Sequence, residues 1–221
     1  MLTERLLEVA RVGGDWVLYG LILLSIASIA ITIDRLIYFA RNTANMEVLI
    51  PALMAKVSKG DMEGAEQVLK KDNSEEARMV LRVLEWRTDG RDALRRILDA
   101  VILERRPMLE KGTVFLGTVG NNAPFIGLFG TVLGVVEAFE KLGHGAAAGG
   151  AGSMDGVMSA ISEALIATAV GIIVAIPAVV AFNMISRRGQ RVEENVERLC
   201  NILIANIERN IERGSREGEK K

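Results

Sequence analysis

The sequence predicts an all-α membrane protein with three transmembrane helices, a cytoplasmic helical domain and a long C-terminal helix extending into the cytoplasm. Three observations support this fold class. Three apolar runs are long enough to cross a bilayer, no segment alternates as a strand would, and basic residues concentrate on one side of the runs. Half of the 221 residues are apolar and the formal net charge is −1. Such a composition fits several classes of protein, so the order of the residues along the chain must decide the fold class.

The first apolar run predicts a transmembrane helix over residues 16–39. Residues 16–33 are apolar apart from small hydroxyl side chains, and the pattern continues past Asp34 and Arg35. A spanning helix needs about 20 residues. The preceding arm, residues 1–15, mixes acids and bases and lacks a basic leader with a small-residue cleavage site. We therefore expect a periplasmic arm and no cleaved signal peptide.

Two further runs predict transmembrane helices over residues 113–139 and 157–185. The second run is at most weakly polar until Glu137, and the third contains a single charge, Glu163. Buried helices of a large soluble protein are the alternative, but they suit runs of about 10 to 14 residues better.

The basic residues predict the orientation of the chain. Residues 40–112 hold fourteen Lys and Arg and residues 186–221 hold nine, whereas residues 140–156 hold only Lys141. The positive-inside rule places the basic side in the cytoplasm. We expect a periplasmic N-terminus, a periplasmic glycine-rich loop at 140–156, and a cytoplasmic C-terminal helix and tail at 186–221.

Residues 40–112 are expected to form a cytoplasmic domain of short amphipathic helices, with Asp61, Ser74 and Asp89 as N-caps. The third span is expected to continue as a helix whose apolar positions recur at steps of three or four. These positions are Val192, Val196, Leu199, Leu203, Ile207 and Ile211. An apolar stripe of this kind is expected to pack against another surface, either this chain's own cytoplasmic helices or copies of the chain. A free helix lying on lipid is the competing interpretation.

Small residues follow one face of the second span and one face of the third. Helices in lipid associate through close packing of small residues, so we interpret both faces as packing or pore-lining surfaces. Two prolines lie in these spans and remove the amide donors for the carbonyls of Gly120 and Ile173. The face residues and prolines are Gly117, Gly120, Pro124, Gly127 and Gly134 in the second span, and Ala160, Ala164, Gly171, Ala175 and Pro177 in the third.

Three polar residues in these spans are candidates for a proton pathway: Thr131, Glu163 and Thr168. A carboxyl about two turns inside a span is expensive unless it is protonated, paired or hydrated. Two alternatives stay open. Each threonine can bond a carbonyl of its own helix, and Glu163 can lie among the outer headgroups, because residues 161–185 alone are long enough to span.

Other functional classes find little support in the sequence. Cys200 and His144 are the only residues of their kinds, so no zinc cluster is expected. No nucleophile with a base, cofactor loop or basic nucleic-acid motif appears, and we expect no enzyme, no cofactor and no nucleic-acid partner. A secondary transporter is disfavoured because three spans contain no inverted repeat.

Two segments carry a family resemblance. "APFIGLFGTVLGVVEAF" followed by "ISEALIATAVGIIVAIPAVVAFN" resembles the ExbB/TolQ family of proton-channel subunits, which is related more distantly to the flagellar stator subunit MotA. The GLFGTV and EALIATA segments are the specific part. Residues 40–112 agree with the family only in length and helical character. The first span ends in Asp34-Arg35, where the family tends to have Glu-Arg.

The resemblance implies a homo-oligomer, a pentamer, in the bacterial inner membrane. Its second and third spans would line a central pore around a dimer of single-span partners similar to ExbD or TolR, whose aspartate takes up and releases protons. The family's polar pore residues would fall on Thr131, Glu163 and Thr168. The complex would turn proton flow into mechanical work. A passive membrane scaffold, in which the small faces only hold an oligomer together, is the alternative.

Overall fold

A computed structural model describes residues 15–86, 90–148 and 152–218 of the chain. These residues form seven α-helices and no strand, which confirms the all-α prediction. The helices are α1 (Asp15–Asn42), α2 (Met46–Val57), α3 (Met62–Lys71), α4 (Glu75–Leu84), α5 (Arg91–Leu109), α6 (Thr113–Ala148) and α7 (Gly152–Gly218).

Three helical segments are long and apolar enough to cross a membrane, and they lie where the sequence predicts spans. They are Trp16–Val57, Thr113–Gly143 and Met154–Asn206. The helices extend beyond the predicted spans, and α6 and α7 reach into both ends of the glycine-rich segment 140–156. An ion pair one turn apart, Glu137 to Lys141 at 2.8 Å, supports the extension of α6.

The chain divides into two compact units. The first comprises residues 1–34 and 112–184, and the second comprises residues 35–111 and 185–221. Both α1 and α7 contribute to each unit, because each helix runs through a unit boundary.

The apolar core of the first unit lies where α1, α6 and α7 meet. Val17 and Leu21 of α1 are almost completely buried, and they share a cluster with residues of the other two helices. Those residues are Val119, Ala123 and Leu133 of α6, and Val174, Ala175 and Ala178 of α7. Val119 and Leu133 belong to a row of bulky apolar residues in the second span, which by sequence alone could meet either lipid or large side chains. The structure buries both in this cluster, against large side chains of the same chain.

In the second unit, the predicted N-caps are confirmed for α3 and α4. The Asp61 carboxylate accepts the Gly64 N–H, and the Ser74 hydroxyl accepts the Ala77 N–H. The Gly64 N–H, together with Lys56, holds the pKa of Asp61 below its usual value. Asp89 lies outside the described residues. Helix α5 starts after Gly90, whose φ of +87° favours glycine.

The apolar stripe of the C-terminal helix is covered by the second unit itself. Val192, Val196, Leu199 and Leu203 are at most 2% exposed. Helix α5 lies alongside this part of α7. The Arg106 guanidinium of α5 donates two hydrogen bonds, of 3.0 and 2.9 Å, to the Glu193 carboxylate of α7. The stripe is therefore covered by the chain's own helices, one of the two covers expected from the sequence. The side chains of Ile207 and Ile211 lie outside the described residues.

A buried carboxylate, which the sequence did not indicate, joins three segments of the second unit. Glu76, at the start of α4, is fully buried. It accepts the Ala44 N–H at 3.0 Å and the Asn195 side-chain amide at 3.3 Å. Burial raises the pKa of Glu76 above its ordinary value of 4.5, more than these hydrogen bonds lower it.

We predict that Glu76→Gln stabilises the protein near neutral pH. A carboxyl with a raised folded-state pKa contributes stability that is fully present below pH 4.5 and is lost as the pH rises through the folded pKa. Glutamine keeps an acceptor without this loss. Thermal unfolding of the full chain in detergent, followed by tryptophan fluorescence, should give equal midpoints for variant and wild type at pH 4 and a higher midpoint for the variant at pH 7.5. The exposed Glu197→Gln is the control, and an equal gain there would contradict the prediction.

Candidate functional site

Helices α6 and α7 approach each other almost to backbone contact. A Cβ built on Gly127 would lie 2.7 Å from the Ala167 carbonyl oxygen and 2.9 Å from Thr168 Cα. One built on Gly134 would lie 2.5 Å from Ala164 Cβ and 3.1 Å from the Ala160 carbonyl oxygen. No side chain larger than hydrogen fits at either glycine without a shift of α7.

The close contact is reciprocal and continues along both helices. A Cβ on Gly171 of α7 would lie 2.6 Å from the Ala123 carbonyl oxygen and 3.1 Å from Gly127 Cα. Further along, Gly120 faces Val179 and Gly117 faces Phe182. The pairing order shows that the two helices run antiparallel, with the small face of each against the other.

The small residues predicted from the sequence therefore lie in a contact within one chain. Ala160, Ala164 and Ala175 are at most 5% exposed. Pro124 is half-buried, whereas Pro177 lies on an exposed part of α7. That any of these residues also lines a pore stays a prediction.

Gly130 belongs to the same contact, and the sequence did not single it out. Its Cβ would lie 2.8 Å from Ala167 Cβ and 3.3 Å from Val17 Cγ1, so it lies where α1, α6 and α7 converge. The glycine spacing 127, 130, 134 was the available signal. Position 130 lies outside the small face of the second span, whose residues recur at steps of three and four.

The two threonines differ in their hydrogen bonding. The Thr131 hydroxyl donates to the Leu128 carbonyl of its own helix at 2.6 Å, which is the alternative the sequence left open. The Thr168 hydroxyl is buried and has no hydrogen-bond partner in the structure. A buried hydroxyl without a partner is costly.

Glu163 lies on an exposed part of α7, where its carboxylate accepts the Ser159 hydroxyl at 3.3 Å. It lines a pocket together with Glu137 of α6 and small residues of both helices, among them Gly130, Gly134 and Ala160. In the sequence, Glu137 marks only the end of the second apolar run. Thr131 and Thr168 do not line this pocket. Both lie next to Gly127 instead, Thr131 one turn along α6 and Thr168 across the contact.

The described residues show no metal centre. No group of three or more His, Cys, Asp or Glu among them could hold an ion. Cys200 is buried on α7, and the side chain of His144 lies outside the described part of the chain.

Residues 50–198 match the model of the MotA/TolQ/ExbB proton channel family. The chain belongs to that family. All three polar candidates, Thr131, Glu163 and Thr168, lie inside the matched range of this MotA/TolQ/ExbB member.

Individual relatives in the MotA/TolQ/ExbB family match over a shorter stretch. The biopolymer transport protein ExbB of Xanthomonas campestris is 46% identical over 92 residues, which are 42% of this chain and 35% of that protein. The Tol-Pal system protein TolQ of Pseudomonas aeruginosa is 39% identical over 99 residues, 45% of this chain and 41% of that protein. TolQ of Haemophilus influenzae is 45% identical over 87 residues, 39% of this chain and 36% of that protein.

The matches thus span 35% to 41% of the length of these relatives. Together, the MotA/TolQ/ExbB membership and the three apolar helices identify a bacterial membrane protein. ExbB and TolQ relatives match with similar identity, so the likeness does not separate these two kinds of protein.

We predict that Gly127→Ala weakens the α6–α7 contact by about 1–3 kcal/mol, a typical cost of overpacking. The added methyl would meet the backbone at Ala167 and Thr168, which cannot rotate away. The same change at Gly20 of α1 is the control, because nothing lies within 4 Å of a Cβ there. Thermal unfolding in detergent should show a lower midpoint for Gly127→Ala and an unchanged or higher one for Gly20→Ala. Equal midpoints would refute the close contact.

Proposed function

We propose that this chain is the proton-channel subunit of an ExbB/TolQ-type energising complex in the bacterial inner membrane. It couples proton flow to mechanical work on envelope partners through an ExbD/TolR-like partner. Membership of the proton channel family supports the general class. The relatives include proteins named for biopolymer transport and for the Tol-Pal system, so the proposal names a mechanism and leaves the driven process open.

The observation that carries the proposal is the Thr168 hydroxyl. It is buried without a hydrogen bond, next to the Gly127 contact between α6 and α7. In a bilayer a buried polar group needs a partner. A water on a proton path provides one when the α6–α7 contact loosens enough to admit it.

The proton path needs a second chain. Residues 164–185 carry no charge and residues 114–136 carry none, so Glu163 is alone at its depth in α7. One carboxyl cannot pass protons stepwise across about 30 Å of hydrocarbon. A dimer of single-span partners, each carrying a membrane aspartate, supplies the missing groups. Thr131, Glu163 and Thr168 would face that dimer.

Helices α6 and α7 carry exposed apolar surface that lipid or other helices must cover. Phe125 and Leu128 of α6 and Leu165 and Ile173 of α7 are each more than half exposed in the single chain. In the proposed assembly, a homo-pentamer, lipid, neighbouring copies and the guest helices cover this surface. The arm 1–15 and segment 140–156 are periplasmic, and segments 40–112 and 186–221 are cytoplasmic.

The membrane potential supplies enough energy for such a device. One charge crossing 100 mV releases about 2.3 kcal/mol. Two packings of the same helices can differ by only a few kcal/mol, so a few protons release enough energy to drive a step.

A passive scaffold is the second candidate, and one observation favours it. Thr131 already bonds its own helix, so at that position no path is needed to satisfy the hydroxyl. A scaffold would use the glycine contact alone and would tolerate changes of polar residues.

We predict that Glu163→Gln and Thr168→Val each lower proton uptake at least tenfold while the oligomer still assembles. Each change removes a group able to exchange or relay a proton and keeps the side-chain volume. Uptake is measured in vesicles holding the chain with its single-span partner under an imposed potential. Assembly is measured by native mass spectrometry.

Thr118→Val is the matched control, because the Thr118 hydroxyl is exposed and bonds the Val114 carbonyl of its own helix at 2.8 Å. It should conduct as the wild type does. Wild-type uptake in both Glu163→Gln and Thr168→Val would leave the scaffold as the better description.

A further inference from the structure

We propose that an exposed face of α6 packs against an exposed face of α7 in a neighbouring copy of the chain, where the side-chain amides of Asn121 and Asn183 bind each other. The inference rests on the proposed function only in taking the chain as a homo-oligomer in the membrane, and it names the contact between copies. Neither asparagine was a site candidate from the sequence.

Helix α6 carries a continuous row of exposed side chains, the α6 row. Its members recur at steps of four and three, the spacing of one helix face. They are Val114, Thr118, Asn121, Phe125, Leu128 and Val132. At about 100° per residue, the α6 row lies roughly 130° around the axis from the small face that contacts α7. Helix α7 of the same chain therefore leaves it uncovered.

Helix α7 carries a similar row, the α7 row, at steps of three and four. Its members are Ile166, Ala169, Ile173, Ile176, Val180 and Asn183. At about 100° per residue, the α7 row lies roughly 160° around the axis from the small face of α7. Each row contains a single asparagine. The one other polar member, Thr118, bonds the Val114 carbonyl of its own helix.

The amides of the two asparagines lack partners within the chain. Both side chains are exposed, and neither forms a hydrogen bond among the described residues. The adjacent Asn122 differs, because its amide donates to the Thr118 carbonyl at 2.8 Å. Asn121 lies about 12 Å inside the second span at about 1.5 Å per residue, where acyl chains offer its amide no hydrogen bond. A polar group of another helix meets this need, as asparagines do between membrane helices.

Contacts within one chain show which residues of α6 and α7 lie at the same depth. Gly120 lies against Val179, and Gly117 lies against Phe182. Asn183 follows Phe182 on the antiparallel α7, so it lies about one residue from the depth of Gly117. Copies of the chain that cross the membrane in one orientation share this depth scale.

The shared depth brings Asn121 of one copy close to Asn183 of the next. The two positions differ by about five residues in depth, or roughly 7 Å at about 1.5 Å per residue. A helical side chain leans toward the N-terminus of its own helix. Because α6 and α7 are antiparallel, the two side chains lean toward each other and shorten this separation. Each amide has donors and an acceptor, so the two amides are complementary.

Helix α1 shows what a lipid-covered face of this protein looks like. Its exposed side chains between positions 20 and 33 are all apolar, and the large ones are Ile22, Leu23, Ile26, Ile29 and Ile33. Lipid covers such a face without leaving a polar group unpaired. The α6 and α7 rows each carry an amide instead, and the complementary group is present on a second copy.

A contact of this kind generates a ring. The α6 row of one copy meets the α7 row of the next, so each copy has two neighbours, and a head-to-tail contact closes when its rotation allows. Thr131 lies on the arc between the small face and the α6 row, and Thr168 lies on the corresponding arc of α7, at about 100° per residue. Because the helices are antiparallel, a ring of alternating α6 and α7 turns both threonines to the same side, as the proposed pore requires.

The first test links neighbouring copies of the full chain in vesicles that contain no partner. The native cysteine, Cys200, is replaced by alanine. Asn121→Cys and Asn183→Cys are then combined in one chain and treated with a short reagent that carries two thiol-reactive groups. We expect a ladder of covalent dimers, trimers and larger species on a denaturing gel, whereas each single variant should stay monomeric. Asn122→Cys with Asn183→Cys is the matched control and should link at least tenfold less.

The second test measures association by native mass spectrometry over a dilution series in detergent. Asn121→Leu and Asn183→Leu should each weaken association roughly three- to tenfold, the effect of one hydrogen bond between membrane helices. The double variant should associate no more weakly than either single variant, since all three lose the same contact. Asn122→Leu should associate as the wild type does, because Asn122 bonds its own helix.

Three results would overturn the proposal. They are a missing ladder with the Asn121→Cys and Asn183→Cys pair, equal linking of Asn121→Cys alone, and links that form only after a single-span partner is added. The second result would indicate a symmetric contact between two α6 helices, and the third would indicate a guest helix on the α6 row. Absent proton uptake by the wild-type complex would instead refute the proposed function, and the ladder would still support the contact between copies.

Discussion

The near-backbone contact of α6 with α7 is the constraint on which the membrane part of this protein depends. Lipid chains give helices no hydrophobic reason to associate, so the contact depends on how closely two backbones approach. Glycines at 127, 134 and 171 allow that approach. The contact also fixes the polar residues: Thr168 lies beside Gly127, and Glu163 shares the lining of one pocket with Gly130 and Gly134. The packing and the chemistry of the candidate site therefore have the same structural origin.

Hydrogen bonding is handled differently in the two units. In the second unit, the buried Glu76 accepts bonds from the Ala44 backbone and the Asn195 side chain, so two segments distant in sequence satisfy one carboxylate. In the first unit, polar groups mostly bond within a single helix, as Thr131, Asn122 and Ser28 do. The Thr168 hydroxyl differs, because it has no hydrogen-bond partner in its own helix or in a neighbouring one. The Glu76 hydrogen bonds are complete within the chain, whereas the Thr168 hydroxyl leaves one hydrogen bond unmade inside the α6–α7 contact.

Local patterns in the sequence predicted much of this structure. Spans, small faces and two N-caps follow from residue spacing and side-chain chemistry, because each is decided within a few turns of chain. What a face touches depends on the other helices, so the sequence could not place Val119 and Leu133 against Val17 and Leu21. The burial of Glu76 and the junction at Gly130 were missed for the same reason. The roles of Thr131, Glu163 and Thr168 stay predictions, and the pocket that Glu163 shares with Glu137 is visible only in the fold.

Pro177 adds a requirement that concerns the surroundings of α7. Proline has no N–H, so the Ile173 carbonyl one turn earlier lacks its usual donor. Both residues lie on an exposed part of the helix, and Ile173 is 66% exposed. Acyl chains cannot donate a hydrogen bond. At that level, the neighbour of α7 must be a group that can donate a hydrogen bond to the Ile173 carbonyl, or the helix must bend until one of its own amides can do so.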